Sequence, residues 1–163
     1  MPYNPVPRSV LALDIASRTG WAWGVPGGRL SHGIIDLPPP GIDLGAHGAA
    51  FADGLADLLS VHQPARIVVE APFYASAGSP ITIEALLGLN MMAHTIAWRW
   101  DVPIEKIASQ TVRASLIGKI AKGESKAAVM AWARAQGHTP NDHNAADALA
   151  LLTYALGLRK AAA

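Results

Sequence analysis

An acid lies inside VLALDIASRTGWAW, the stretch at residues 10–23 that decides how the rest of the chain is arranged. Residues 10–15 are apolar except for Asp14, which predicts a buried strand with a carboxylate in its middle or near its end. Gly20 is free to take a positive φ in the turn that follows, and a second strand is predicted at 21–25. A carboxylate in such a strand is costly unless a basic side chain, backbone N–H groups or a metal ion compensates it. The nature of that compensating group therefore decides the function.

The composition predicts one folded domain without thiol chemistry. The 163 residues, 51% of them hydrophobic, are enough for a single core, so we expect one domain over 1–163 with flexible ends at 1–8 and 159–163. The absence of cysteine excludes disulfides, cysteine-bound zinc and thiol nucleophiles. No signal peptide and no membrane-spanning run is visible. We therefore expect a soluble, cytoplasmic protein with no membrane partner.

Further along the chain, strand and helix patterns alternate. They predict a turn at 26–28, strands at 30–35, 65–70 and 102–107, and helices at 46–62, 80–100, 109–117 with Ser109 as N-cap, 124–136, and from Asp142 or Asn144 to about 158. The order β-β-β-α-β-α-β-α-α-α is that of an α/β, ribonuclease H-like fold. Its mixed five-stranded sheet has an antiparallel meander, then parallel strands, with helices on both faces.

Three acids are predicted where buried segments reach the surface: Asp14 in the first strand, Glu70 ending the fourth, and Asp147 in the last helix. The first and fourth strands of a mixed sheet can be neighbours, and a helix across that edge brings the third acid to them. Clustered carboxylates raise one another's pKa unless a cation lies between them. Hard oxygen ligands favour Mg²⁺ or Mn²⁺, and two such ions support in-line hydrolysis of a phosphodiester.

Each acid also has a structural explanation. Asp14 alone fits a hydrogen-bonded structural acid equally well, and Glu70 at a strand end is more often a surface charge. Asp147 is the stronger signal, because apolar side chains surround it on both sides. The three together, in this order of elements, favour a metal site.

Residues 142–144 supply the candidates for a fourth position at this site. At about 100° per helical residue, His143 and Asn144 lie within about 60° of the direction of Asp147. Asp142 points about 140° away within a helix, but it reaches the site, or only caps free N–H groups, if it precedes the helix. His143 fits a metal ligand, a proton relay or a hydrogen bond at the helix start. The sequence leaves these alternatives open.

Basic side chains are concentrated between Glu105 and His138, although the net charge of the chain is only +1. Their simplest explanation is a solvated helical face. A glycine-bracketed basic loop at 118–123 favours DNA contact instead, because such a loop can approach a phosphate backbone closely. An irregular loop is also predicted at 71–80 and contains two aromatics, Phe73 and Tyr74. They suit stacking on unpaired bases or packing in the core or a dimer interface.

At these residues the chain resembles the RuvC family of Holliday-junction resolvases, especially its shorter phage-type members. The resemblance runs from Val10 to about Tyr154 and rests on four motifs in order: LALD at 11–14 with TGWA at 19–22, VVE at 68–70 followed by Phe73, a basic segment with Val112-Arg113, Gly118 and Lys126, and NAADAL at 144–149. Arg113 replaces a usual lysine. Asn144 stands where the family usually has Asp or His, which leaves Asp142 or His143 as fourth ligand.

The resemblance implies a homodimer that binds branched DNA, a four-way junction, and makes paired nicks near the crossover. Asp14, Glu70 and Asp147 would hold two Mg²⁺ or Mn²⁺ ions, and His143 would join the catalytic set. Lys126 would stabilise charge on the scissile phosphate, Arg113, Lys119 and Lys122 would contact backbone phosphates, and Phe73 and Tyr74 would stack on bases. It also implies a bacterial or phage-encoded protein.

Three other functions fit parts of the sequence. A ribonuclease H-like nuclease acting on RNA or RNA–DNA hybrid would use the same chemistry on a differently shaped substrate. An actin-like nucleotide-binding domain would need a second domain and glycine-rich phosphate loops, which this sequence lacks. A catalytically inactive junction-binding protein would result if Asn144 has cost the site its metal.

Overall fold

The protein is described by a computed structural model that covers residues 3–72 and 78–157. Its elements follow the predicted order. The strands are β1 (Val6–Asp14), β2 (Arg18–Gly24), β3 (Leu30–Asp36), β4 (Pro64–Glu70) and β5 (Ile104–Ile107), and the helices are α1 (Leu44–His62), α2 (Pro80–Arg99), α3 (Ser109–Leu116), α4 (Ser125–Ala135) and α5 (His143–Ala155).

The strands form one mixed sheet in the order β3-β2-β1-β4-β5. β1, β2 and β3 are antiparallel neighbours, while β4 runs parallel to β1 and β5 parallel to β4. Leu13 of β1 lies opposite Val69 of β4, so the next residues, Asp14 and Glu70, end adjacent strands at the same edge of the sheet. The predicted ribonuclease H-like sheet and the proximity of its first and fourth strands are confirmed.

Helices cover both faces of the sheet because its central strands are apolar at successive positions, whose side chains point alternately to one face and the other. Val10 and Ala12 of β1 face a core shared with α3, α4 and α5. Leu11 and Leu13 face a second core shared with α1 and α2. The α5 face and the α1/α2 face are the names used below for these two sides.

Three local features differ from the sequence prediction. Gly20 was expected in a turn with a positive φ, but it lies within β2, which begins at Arg18, and its φ is not positive. β1 begins at Val6 rather than Val10, so residues 6–8, assigned from sequence to a flexible end, are part of the strand. Ser109 was predicted as an N-cap, but Ala108 occupies that position and Ser109 is the first residue of α3. The Ser109 side chain instead lies beside Glu70 and lowers the pKa of that carboxyl. The extent of the domain, 1–163, stays a prediction.

Candidate active site

Three elements bring the predicted acids to one end of the sheet. Asp14 is the last residue of β1, Glu70 the last of β4, and Asp147 lies in the second turn of α5. Since β1 and β4 are parallel neighbours, their C-terminal acids lie side by side, and α5 packs across them. The charge of Asp147 acts on both other carboxyls, which places all three in one cluster.

Gly20 lets α5 approach this edge closely. It pairs with Asp14 across β1 and β2, and a Cβ at Gly20 would lie 2.0 Å from the carbonyl oxygen of Asn144. No side chain fits in that space. The first turn of α5 therefore rests directly on the β2 backbone, which positions Asp147 beside Asp14.

Burial raises the pKa of all three carboxyls, and repulsion from neighbouring carboxylates adds to it for Asp14 and Glu70. For Asp14 the pKa is raised well above its ordinary value, first by desolvation and then by the charges of Glu70 and Asp147. Desolvation followed by the charge of Asp147 raises the pKa of Glu70. Desolvation also raises the pKa of Asp147. The cluster therefore holds more negative charge than its surroundings fully compensate.

Arg113 lies inside this cluster, not only in the basic segment to which the sequence assigned it. Its Nη2 donates to Oδ1 of Asp147 at 3.2 Å, and its side chain is 25% exposed. Its charge lowers the pKa of Asp14, Glu70 and Asp147. Sequence analysis missed this contact. The available signal was that Arg113 follows Val112 on a short helix whose apolar side is buried.

The side chains of residues 142–144 have distinct roles at the start of α5. Asp142 is the N-cap: its Oδ1 accepts from the Asn144 N–H at 2.7 Å, and its Oδ2 pairs with Nη1 of Arg18 at 3.0 Å. The Asn144 amide donates to the Arg18 carbonyl oxygen at 2.7 Å. His143 Nδ1 lies 3.9 Å from Asp142, beyond hydrogen-bond distance, and the charge of His143 lowers the pKa of Asp147. His143 is thus the member of this group least engaged elsewhere.

Two structures of RuvC and one of a Holliday junction resolvase are among the solved structures that share this architecture. Thermus thermophilus RuvC in complex with Holliday junction substrate matches with a TM-score of 0.73 and 21% identity, over 93% of this chain and 95% of that one. A second T. thermophilus RuvC structure matches with a TM-score of 0.68 and 17% identity, over 93% of this chain and 98% of that one. The yeast mitochondrial Holliday junction resolvase matches with a TM-score of 0.61 and 15% identity, over 95% of this chain and 80% of that one. The chain has the RuvC fold.

At these identities the likeness to RuvC concerns the fold alone. No protein-family model matches the sequence, and no curated protein matches it. Within residues 3–72 and 78–157, no helix of this RuvC-fold chain is long and apolar enough to cross a membrane.

The predicted DNA-contacting residues fall into three groups on this RuvC fold. Lys119 and Lys122 are exposed in the segment between α3 and α4. Lys126, exposed in the first turn of α4, is near enough to lower the pKa of Asp147. Phe73 and Tyr74 lie outside the described residues. The structure thus separates Lys126, which acts on Asp147, from the two lysines of the loop.

The donor set of this RuvC-fold site suits a hard divalent cation, because three carboxylates with raised pKa converge on one edge. Their arrangement is nevertheless not closed. In the part of the chain that the structure describes, no three His, Asp or Glu side chains are grouped so as to hold one ion. Arg113, bonded to Asp147, supplies positive charge at this position. The chemistry fits the predicted metal, whereas a preformed cage is not present among these residues.

Proposed function

We propose that this protein is a metal-dependent, structure-selective endodeoxyribonuclease that resolves four-way DNA junctions by paired phosphodiester hydrolysis. One observation carries the proposal: Asp14, Glu70 and Asp147 converge at one edge of a sheet with the RuvC fold. The fold supports branched DNA as substrate, since the T. thermophilus RuvC it resembles is bound to a Holliday junction.

The three carboxylates would hold Mg²⁺ or Mn²⁺, two ions per site, with His143 as fourth ligand. We favour His143 over Asp142 because both Asp142 oxygens are already bonded, one to Asn144 and one to Arg18. Such ions, when bound, supply activation of a water and stabilisation of the leaving oxygen. His143 can also take up or release a proton near neutral pH, and its position beside Asp147 suits that role.

Positive side chains of the same face would hold the DNA. Lys126 lowers the pKa of Asp147, and this nearness to a proposed metal ligand supports a role in stabilising the charge that would develop on the scissile phosphate. Lys119 and Lys122 are exposed beside it and would contact backbone phosphates. Phe73 and Tyr74 would stack on unpaired bases at the crossover.

Paired nicks call for two copies of the site, and we propose a homodimer formed through α2. This helix exposes Leu87, Met91 and Trp98 at 48%, 70% and 81% of their surface. Their spacing of four and seven residues places them within about 40° of one another on the helix. Large apolar side chains exposed in one stripe are typical of an interface. We place the enzyme in the cytoplasm of a bacterium or of a phage-infected cell.

The decisive experiment compares three substrates in one assay: a synthetic four-way junction, a linear duplex and an RNA–DNA hybrid. We expect symmetric cleavage of the junction with Mg²⁺ or Mn²⁺ and none with EDTA. Preference for the hybrid would show that the protein is a ribonuclease H-like nuclease of RNA–DNA hybrids and not a junction resolvase. Junction binding without cleavage of any substrate would indicate an inactive binding protein.

Replacing Asp14 by Asn tests the assignment of the site. Asp14→Asn should lower junction cleavage at least about 10³-fold, because a carboxylate at the reacting centre is lost, while junction binding stays within about twofold. Asp53→Asn, an exposed acid of α1, is the matched control and should cleave like the wild type. Normal cleavage by Asp14→Asn would show that the carboxylate cluster is not the active site.

Single alanine replacements at 142–144 locate the fourth ligand. His143→Ala should lose the most cleavage, and excess Mn²⁺ should partly restore it. Asp142→Ala should mainly lower the free energy of unfolding, by about 1 kcal/mol, because the helix cap is lost. Full activity in all three variants would mean a site of three carboxylates.

A further inference from the structure

Arg113 is a cation placed where the proposed function needs a metal ion. It lies on α3, donates to Oδ1 of Asp147 at 3.2 Å, and is largely withdrawn from solvent. A guanidinium in such a place costs desolvation free energy unless anions compensate it. Its Nε is buried and has no hydrogen-bond partner among the described residues. Charge, rather than a complete set of hydrogen bonds, therefore accounts for its position.

No other described cation reaches the whole cluster. Arg113 lowers the pKa of Asp14, Glu70 and Asp147. Lys126 and His143 lower that of Asp147 alone among the three. Arg18, close in sequence to Asp14, pairs with Asp36 and Asp142 instead. The acids therefore share one internal counter-ion.

The contact to Asp147 conflicts with metal binding at the same carboxylate. An oxygen that accepts from a guanidinium has less electron density to offer an ion, and the positive charge of Arg113 repels a second cation nearby. The open arrangement of the acids among the described residues agrees with a cluster held by the arginine. The oxygen at which the two cations would compete is Oδ1 of Asp147, which Arg113 already occupies.

We propose that Arg113 is an exchangeable counter-ion, which neutralises the carboxylates in the metal-free protein and leaves Asp147 when divalent metal binds. The inference rests on the proposed metal-dependent function and adds a consequence to it. Arg113 stabilises the free enzyme and, in doing so, lowers its affinity for metal. It acts through the carboxylates, so it is a positioning residue.

The test measures Mn²⁺ affinity by titration calorimetry and the metal-free melting temperature, on the full chain without DNA. Arg113→Met removes the charge and keeps most of the side-chain volume. It should bind Mn²⁺ about tenfold more tightly, because a unit charge near the ion is gone, and should melt at a lower temperature without metal. Arg113→Lys keeps the charge and should bind Mn²⁺ within about twofold of the wild type.

Two further variants serve as controls. Arg134→Met, an exposed arginine of α4, should match the wild type in both measurements. Combining Arg113→Met with Asp147→Asn should restore the metal-free melting temperature, since the cluster then loses one charge of each sign. This double variant and Arg113→Lys remain informative if Arg113→Met alone is recovered unfolded.

Several results would overturn the exchange. Unchanged or weaker Mn²⁺ affinity in Arg113→Met, or an unchanged metal-free melting temperature, would show that Arg113 is not the counter-ion. If Arg113→Met keeps both wild-type values and loses only junction affinity in a separate binding assay, Arg113 is an ordinary phosphate contact. The proposed function can fail separately. If the wild type binds Mn²⁺ yet cuts no junction, the proposed resolvase activity is wrong, whereas the proposed exchange of Arg113 for the metal is unaffected.

Discussion

The two faces of the sheet are packed in different ways. On the α5 face, six of the fourteen buried core residues are alanine, and the helix backbone touches β2 at Gly20. On the α1/α2 face, two of fourteen are alanine, and large side chains such as Phe51 and Leu55 fill the core. Small residues bring backbones together, whereas large ones hold them apart.

This difference explains where the chemistry is. Close packing on the α5 face brings Asp147 to the ends of β1 and β4 and lets Arg113 of α3 contact Asp147. The α1/α2 face holds no acid of the cluster, and its outermost helix presents apolar side chains to solvent. One face therefore brings charges together at close range, whereas the other is packed with large apolar side chains and leaves some of them exposed. The predictions below test that division.

The largest effect is expected where the two backbones meet. Gly20→Ala places a Cβ 2.0 Å from the Asn144 carbonyl oxygen, so α5 must move away and Asp147 with it. We expect a loss of about 3 kcal/mol in the free energy of unfolding, measured by urea denaturation, and cleavage reduced by at least about 100-fold.

The matched change on the other face is Gly88→Ala. A Cβ at Gly88, in the middle of α2, meets no atom within 4 Å, and alanine favours a helix by about 1 kcal/mol over glycine. This variant should be slightly stabilised and fully active. Similar losses from both substitutions would contradict the difference in packing.

Charge on the α5 face should weaken the metal-free protein as pH rises. The raised pKa of Asp14 means that the folded state holds its proton to higher pH than the unfolded state, whose value is near 3.8. Stability therefore falls as pH rises from there through the raised pKa, and Glu70 and Asp147 act in the same direction.

Replacing Asp14 by Asn removes the largest part of this penalty. Asp14→Asn should raise the metal-free melting temperature by about 4 °C or more, at about 2–4 °C per kcal/mol, and the gain should grow with pH. Asp53→Asn on the α1/α2 face should show no such growth. A melting temperature of Asp14→Asn below that of the wild type at pH 8 would contradict the repulsion argument.

The exposed stripe of α2 should decide association. Trp98→Glu places a charge in the proposed dimer interface, and we expect it to weaken dimerisation by about 2 kcal/mol, seen by light scattering after size exclusion. Val61→Glu changes an exposed apolar residue of α1 outside this stripe and should leave the dimer intact. A wild-type protein that is monomeric at all concentrations would contradict the proposal that α2 forms a dimer interface.

The smallest effect is expected from the loop between α3 and α4. Replacing Lys119 and Lys122 together by Ala should weaken junction binding several-fold. The slope of the logarithm of the binding constant against the logarithm of the salt concentration should become smaller by about two, one for each lost phosphate contact. Arg99→Ala, an exposed cation at the end of α2, should change neither. An equal effect from Arg99 would place DNA on both faces.

Local patterns were enough for the elements and for the acids, because each depends on neighbours in sequence. The apolar run at residues 10–15, the turn at 26–28 and the apolar run around Asp147 predict structures that agree with those observed. Ser109 shows where such reasoning ends. A serine before a helix is a good N-cap in isolation, but here the adjacent strand offers a carboxylate, Glu70, and the side chain lies beside it.

The sequence by itself determined the α/β order, the three acids and their predicted proximity, since parallel neighbouring strands place their terminal residues together. Only the tertiary structure decided that Arg113 joins the acids, that Asp142 is occupied as a cap, and that α2 leaves Met91 and Trp98 exposed. These depend on contacts between residues far apart in the chain. In its apolar strand Asp14 has only a partial counter-charge in Arg113, which is bonded to Asp147, and we propose a divalent ion as the remaining compensation.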